Sequence, residues 1–113
     1  MTILTQGVRT AEFLLSEANG HRSREQGTLA ITAVALPAGQ LLGTVAGEYV
    51  PYNPAGIDGS EIVTAVLYAA APISTATQPV AVVVRDAEVI SAKLTGLDAA
   101  ATADLLALGV IVR

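Results

Sequence analysis

From Gly27 onward, short apolar runs alternate with clusters of Gly, Pro, Asn and Asp, the punctuation of an all-β body. Thr28–Leu36 reads as a strand closed by a Pro37-Ala38-Gly39 turn. Gln40–Ala46 reads as a second strand, with Gly43 as a bulge or close-approach point, and Glu48–Tyr52 as a third. Asn53-Pro54-Ala55-Gly56-Ile57-Asp58-Gly59 is a loop. Glu61–Ala71 is apolar with little alternation, which predicts burial on both faces, and Pro72 ends it. After a polar, Thr-rich connection, Pro79–Val84 is the clearest strand, and the alternation carries it on through Arg85–Val89. Asp98 suits a helix N-cap, the Ala-rich run to Leu108 favours helix, and Gly109 suits its stop. Val110–Arg113 returns to strand. The fold class expected is mainly β, a small β-rich body with one short C-terminal helix and an extended N-terminal arm.

Residues 1–26 differ from the rest. They mix Thr, Gln, Gly, Arg, Glu, Asn and His without a sustained period, and the single apolar island is Phe13-Leu14-Leu15. They read as a flexible arm, residues 1–26, attached to a body of residues 27–113. The competing reading is a short helix over Thr10–Ala18 that docks Phe13 and Leu14 on the core.

Composition adds a second feature. The chain is 52% hydrophobic but only 4% aromatic and 14% charged, so its core must be thin and built from small, often β-branched side chains. So few charges leave much of the surface uncharged, a surface commonly covered by copies or partners. The net charge of −4 sits in the body, where Glu48, Asp58, Glu61, Asp86, Glu88, Asp98 and Asp104 face only Arg85, Lys93 and Arg113. That balance argues against a nucleic-acid partner, since phosphate binding needs a clustered positive patch. The apolar stretches Ile62–Ala71 and Val80–Val84 are far shorter than the ~20 residues that span a bilayer, and the start lacks a secretory signal, so a cytosolic site of synthesis is expected.

Candidate chemistry is sparse. With no Cys, thiolate catalysis and Cys-ligated zinc are excluded. His21, the single histidine, has Glu17 and Glu25 four residues to either side, but a polar Gly20–Arg24 neighbourhood does not preorganise a metal or acid–base site. Asp86 and Glu88 alternate on one expected strand and could form a carboxylate pair, yet no Trp offers a sugar platform, and Arg85 suits a structural ion pair across the sheet. No Ser lies in a Gly-x-Ser-x-Gly elbow. Gly39, Gly43 and Gly47 lie between strands rather than at a helix start, so they form no phosphate cradle. Pro37–Gly43 resembles a turn of lipoyl or biotinyl carrier domains, but Lys93, the sole lysine, lacks tight-turn neighbours.

Several fragments in fixed order resemble the phage head decoration protein family. They are Phe13-Leu14-x-Ser16-Glu17-Ala18-x-Gly20-x-x-Ser23-Arg24-x-x-Gly27-Thr28, Leu36-Pro37-Ala38-Gly39-x-x-x-Gly43, Tyr49-Val50-Pro51-Tyr52, Val83–Val89 and Leu105-x-Ala107–Arg113. The resemblance runs from residue 12 onward. It implies a non-enzymatic homotrimer that binds the coat protein at three-fold positions on the outside of the expanded head, assembled in the host cytoplasm and stabilising the capsid. It implies no cofactor, metal, nucleic acid, membrane or small-molecule substrate. The arm residues expected to meet the capsid are Phe13, Leu14, Leu15, Ser16, Arg22 and Arg24. The alternatives are a small trimeric enzyme with a site at subunit junctions and a carrier domain. On the decoration reading, the arm adds a strand to a coat-protein edge, and Leu14→Asp weakens capsid binding without lowering the body's melting temperature.

Overall fold

The structure, a computed structural model, describes residues 10–17 and 23–113. Among the described residues there are eight strands, which form a closed barrel and a small sheet, and one α-helix. Strands β2 (Arg24–Leu29), β3 (Leu41–Val45), β4 (Glu48–Pro51), β5 (Ala65–Leu67) and β6 (Gln78–Val83) close a barrel in the order β2-β4-β3-β5-β6. Beside it, β1 (Leu14–Glu17), β7 (Ala87–Val89) and β8 (Val110–Val112) form a small sheet in the order β1-β7-β8. Helix α1 (Ala99–Leu108) runs into β8, and Ser91–Lys93 is a single 3-10 turn. The mainly β fold with one short helix is as the sequence predicts.

Closure of the barrel explains why the β3, β5 and β6 segments are so apolar. Successive side chains on a strand point to opposite faces, and here both faces are covered. Leu42, Ala65, Leu67 and Val82 join Leu29, Leu36 and Val84 in one buried cluster. Their immediate neighbours Leu41, Val66 and Val83 join a second cluster, shared with Ala87, Val89 and Val110 of the small sheet and Ala101 and Leu105 of α1. The expectation that the 61–71 segment is buried on both faces therefore holds at Ala65–Leu67.

Helix α1 follows its local signals. Asp98 is extended and its carboxylate accepts the Ala101 N–H at 2.7 Å, while Gly109 takes the left-handed conformation (φ 86°) and stops the helix. Two carboxylates also tie α1 to the barrel. The Tyr52 hydroxyl donates to Asp98 at 3.0 Å, and the Val63 N–H donates to Asp104 at 3.0 Å. Burial, followed by the neighbouring Asp98 carboxylate, pushes the Tyr52 phenol's pKa up. Replacing Asp98 by alanine removes the cap and orphans the Tyr52 hydroxyl, so a loss of about 1–3 kcal/mol is expected in urea unfolding.

Two strand expectations are corrected. The strand expected over Thr28–Leu36 ends at Leu29, and it begins earlier, at Arg24, because its six-residue antiparallel register against β6 runs from Arg24↔Val83 to Leu29↔Gln78. The strand expected to continue from Val84 to Val89 breaks at Asp86, whose positive φ of 51° turns the chain out of the barrel and lets 87–89 start the small sheet.

Candidate functional site

The residues expected in a capsid-binding arm fall into three groups. Phe13 and Leu14 belong to the body. Phe13 is fully buried between the barrel, the small sheet and α1, and Leu14 packs half-buried against the same cluster. The backbone holds them there, since the Ala11 N–H donates to the Tyr68 carbonyl at 3.0 Å and the Ile90 N–H to the Phe13 carbonyl at 2.7 Å. Docking of Phe13 and Leu14 is thus observed, but through turn and strand rather than through a helix over Thr10–Ala18. The reason is size. In a core of Ala, Val and Leu, the single Phe is the largest apolar side chain and the one with most to lose in water. Leu14→Asp would place a carboxylate against this cluster, so it does not separate binding from stability as expected.

Leu15 and Ser16 face outward. The register of β1 against β7 slips between Leu14↔Val89 and Ser16↔Glu88, and this irregularity turns Leu15 out, 54% exposed. The Ser16 hydroxyl donates to the Glu88 carboxylate at 2.9 Å. Glu88 also receives Arg113 at 2.9 Å, and these two donors, Arg113 first, hold its pKa below the usual range.

Arg24 opens β2 and is held in place. Its guanidinium donates through two nitrogens to Glu17 at the end of β1, and the buried Ser23 hydroxyl donates to the same carboxylate. The guanidinium also lies 4.3 Å from the centre of the Tyr68 ring. Hydrogen bonding to Glu17 raises the Arg24 pKa. Ser23, Arg24 and Glu17 therefore clasp the two ends of the 18–22 connection. Arg22 and His21 lie outside the described residues. Sequence reasoning missed this clasp. Its signal is a Glu followed six and seven residues later by Ser and Arg, a pattern meaningful only once β1 and β2 are known to end near each other.

An open recess of about 410 Å³ is lined by Arg24, Glu25, Gln26, Tyr68 and Ala81. Its charged groups are already engaged. Arg24 is held by Glu17, and Glu25 accepts from Arg85 at 2.6 Å. Arg85, in the bend after β6, thus makes an ion pair with Glu25 of the neighbouring strand β2. Asp86 and Glu88 do not share a strand, since Asp86 occupies the turn before β7. Lys93 lies in the 3-10 turn, where its ammonium approaches Glu12 at 3.5 Å, rather than at a hairpin tip. Among the described residues no helix is long and apolar enough to cross a membrane, and no group of three or more His, Asp or Glu is placed to hold a metal.

What remains outward at the start of the chain is a short exposed strand face with an apolar residue, rooted in the body by Phe13 and the Glu17 clasp. A family model described as bacteriophage lambda head decoration protein D matches residues 3–110, nearly the whole chain. Comparison with curated proteins and with solved structures gives no significant match.

Proposed function

We propose, from the premise that the chain belongs to the bacteriophage lambda head decoration protein D family, that it binds as a trimer to the outer surface of the expanded head at three-fold positions. The near-complete family match carries this reading. The protein is then a structural, non-enzymatic clamp whose partner is the major coat protein.

The N-terminal region, residues 1–26, is the part proposed to reach the coat protein, but its residues divide the work. Phe13 and Leu14 act as the root. They fill the core and fix where the chain leaves the body. Leu15 and Ser16 lie beside that root and are open to a partner, and residues 1–9 supply four more apolar side chains, Met1, Ile3, Leu4 and Val8. Arg22 is proposed as a further contact.

Magnitudes explain why three copies are needed. Burying a few apolar side chains yields roughly 1.5–3 kcal/mol each. Ordering the backbone that carries them opposes this by about 1–2 kcal/mol per residue. One segment alone is close to break-even. Three on one rigid assembly make the second and third contacts intramolecular, which raises avidity about 10²–10⁴-fold.

Deleting residues 1–26 would remove Phe13, β1 and half of β2, so it would test folding instead of attachment. Deleting residues 1–9 is the cleaner experiment. The truncated protein is expected to keep its melting temperature and its mass in solution, while its binding to expanded heads, measured by co-sedimentation, falls at least about a hundredfold. Leu15→Asp should act in the same direction. Undiminished binding by both variants would end the proposal for this region.

A further inference from the structure

The charges leave one part of the surface bare. No Asp, Glu, Lys, Arg or His occurs in residues 26–47 or in residues 62–84. The fold joins the middles of these two stretches. Leu36 and Ala71 exchange both backbone hydrogen bonds (2.9 and 2.8 Å), and the Ser74 N–H donates to the Thr32 carbonyl at 3.2 Å. The product is a lobe, residues 30–36 and 71–78, continuous through Leu36 and Ala71 with the cluster that fills the barrel. Ile31, Val34 and Ile73 stand out from it, 63%, 64% and 62% exposed.

Three of the lobe's polar side chains are hydrogen-bonded within it. The Thr32 hydroxyl donates to the Val34 carbonyl at 2.7 Å, the Ser74 hydroxyl to the Ala76 carbonyl at 2.7 Å, and the Gln78 amide to the Pro72 carbonyl at 3.0 Å. Such a surface gives up little when it leaves water. It carries no charge to desolvate, and the Thr32 and Ser74 hydroxyls keep their partners.

We propose that this lobe is the face through which copies of this chain meet, an inference that rests on the trimer reading above. Charge selects the occupant. A different protein can offer many cations to the acidic body, whereas the body of a copy offers few in return, because residues 27–113 hold seven carboxylates against three cations, Arg85, Lys93 and Arg113. Two copies that meet through carboxylate-bearing faces bring like charges together, whereas a contact on the lobe avoids that repulsion.

The test compares Val34→Asp and Ile73→Asp with the native chain and with Ile57→Asp, whose residue is 96% exposed outside the lobe. Mass in solution is read by light scattering across a dilution series. Both lobe variants are expected to raise the dissociation constant at least about a hundredfold, while Ile57→Asp leaves it unchanged. Hydrogen exchange of the native chain at high and low concentration needs no variant, and residues 30–36 and 71–78 should gain protection on association. Native oligomers that survive both lobe substitutions, with no protection of the lobe, would overturn the inference while leaving the trimer reading intact. A native chain that is monomeric at every concentration would overturn both. Variants that keep their mass but no longer bind heads would assign the lobe to the coat protein instead and overturn the self-contact.

Discussion

Phe13→Ala is expected to destabilise the protein by about 3–5 kcal/mol, read as a lower urea midpoint at unchanged slope. The side chain is fully buried where barrel, small sheet and α1 converge, among Leu41, Val66, Val83, Val89 and Leu105. None of these neighbours is large enough to refill the space, so most of the cavity persists. A domain of this size has about 5–15 kcal/mol in all, so the loss is a large fraction of it. The result also discriminates between two roles for the N-terminal segment. A Phe13 that served only to bind a partner would leave the midpoint unchanged.

The second large effect is expected at Gly39. Its φ of +87° lies in the left-handed region, and a Cβ there would sit 2.5 Å from the Lys93 carbonyl oxygen. Neither backbone can yield easily. The Gly39 N–H donates to the Leu67 carbonyl at 2.8 Å, and its carbonyl accepts the Thr95 N–H at 3.0 Å. Strain of about 1–2 kcal/mol from the left-handed conformation adds to about 1–3 kcal/mol of overpacking, so Gly39→Ala should cost about 2–5 kcal/mol. Gly47 is the internal comparison, since it has a similar φ of +82° but nothing within 4 Å of a Cβ. Gly47→Ala should show the conformational strain alone, and equal losses at the two sites would remove the close-approach explanation.

What could be read from the sequence is what is encoded over a few residues. Asp98 and Gly109 bracket α1 because capping depends on side chains and φ angles within one turn. Turn residues between strands gave the separation of β3 from β4. Strand ends were harder, because they depend on the partner. Arg24–Gly27 are polar to look at, yet they are strand because β6 offers a matching edge as far as Val83. The break at Asp86 was hidden for a related reason, since an aspartate at positive φ leaves no mark in a hydrophobic pattern that continues on either side. Of the expected site residues, Leu15 and Ser16 are outward-facing, Phe13 and Leu14 are structural, and Arg24 is clasped by Glu17. Their polar surroundings suggested an arm, and only the long-range contacts with Tyr68 and Ile90 reveal a root.

In the small sheet β7 lies between β1 and β8, one strand from near the beginning of the chain and one made of residues 110–112. On a translating ribosome the central strand therefore waits, with Val89 uncovered on one edge, until residues 110–112 have emerged. A product stopped before residue 110 lacks the Val110 side chain from the main core and leaves β7 an open template for other strands. Interrupted synthesis should therefore yield protein fit for proteolysis or aggregation instead of a usable fragment.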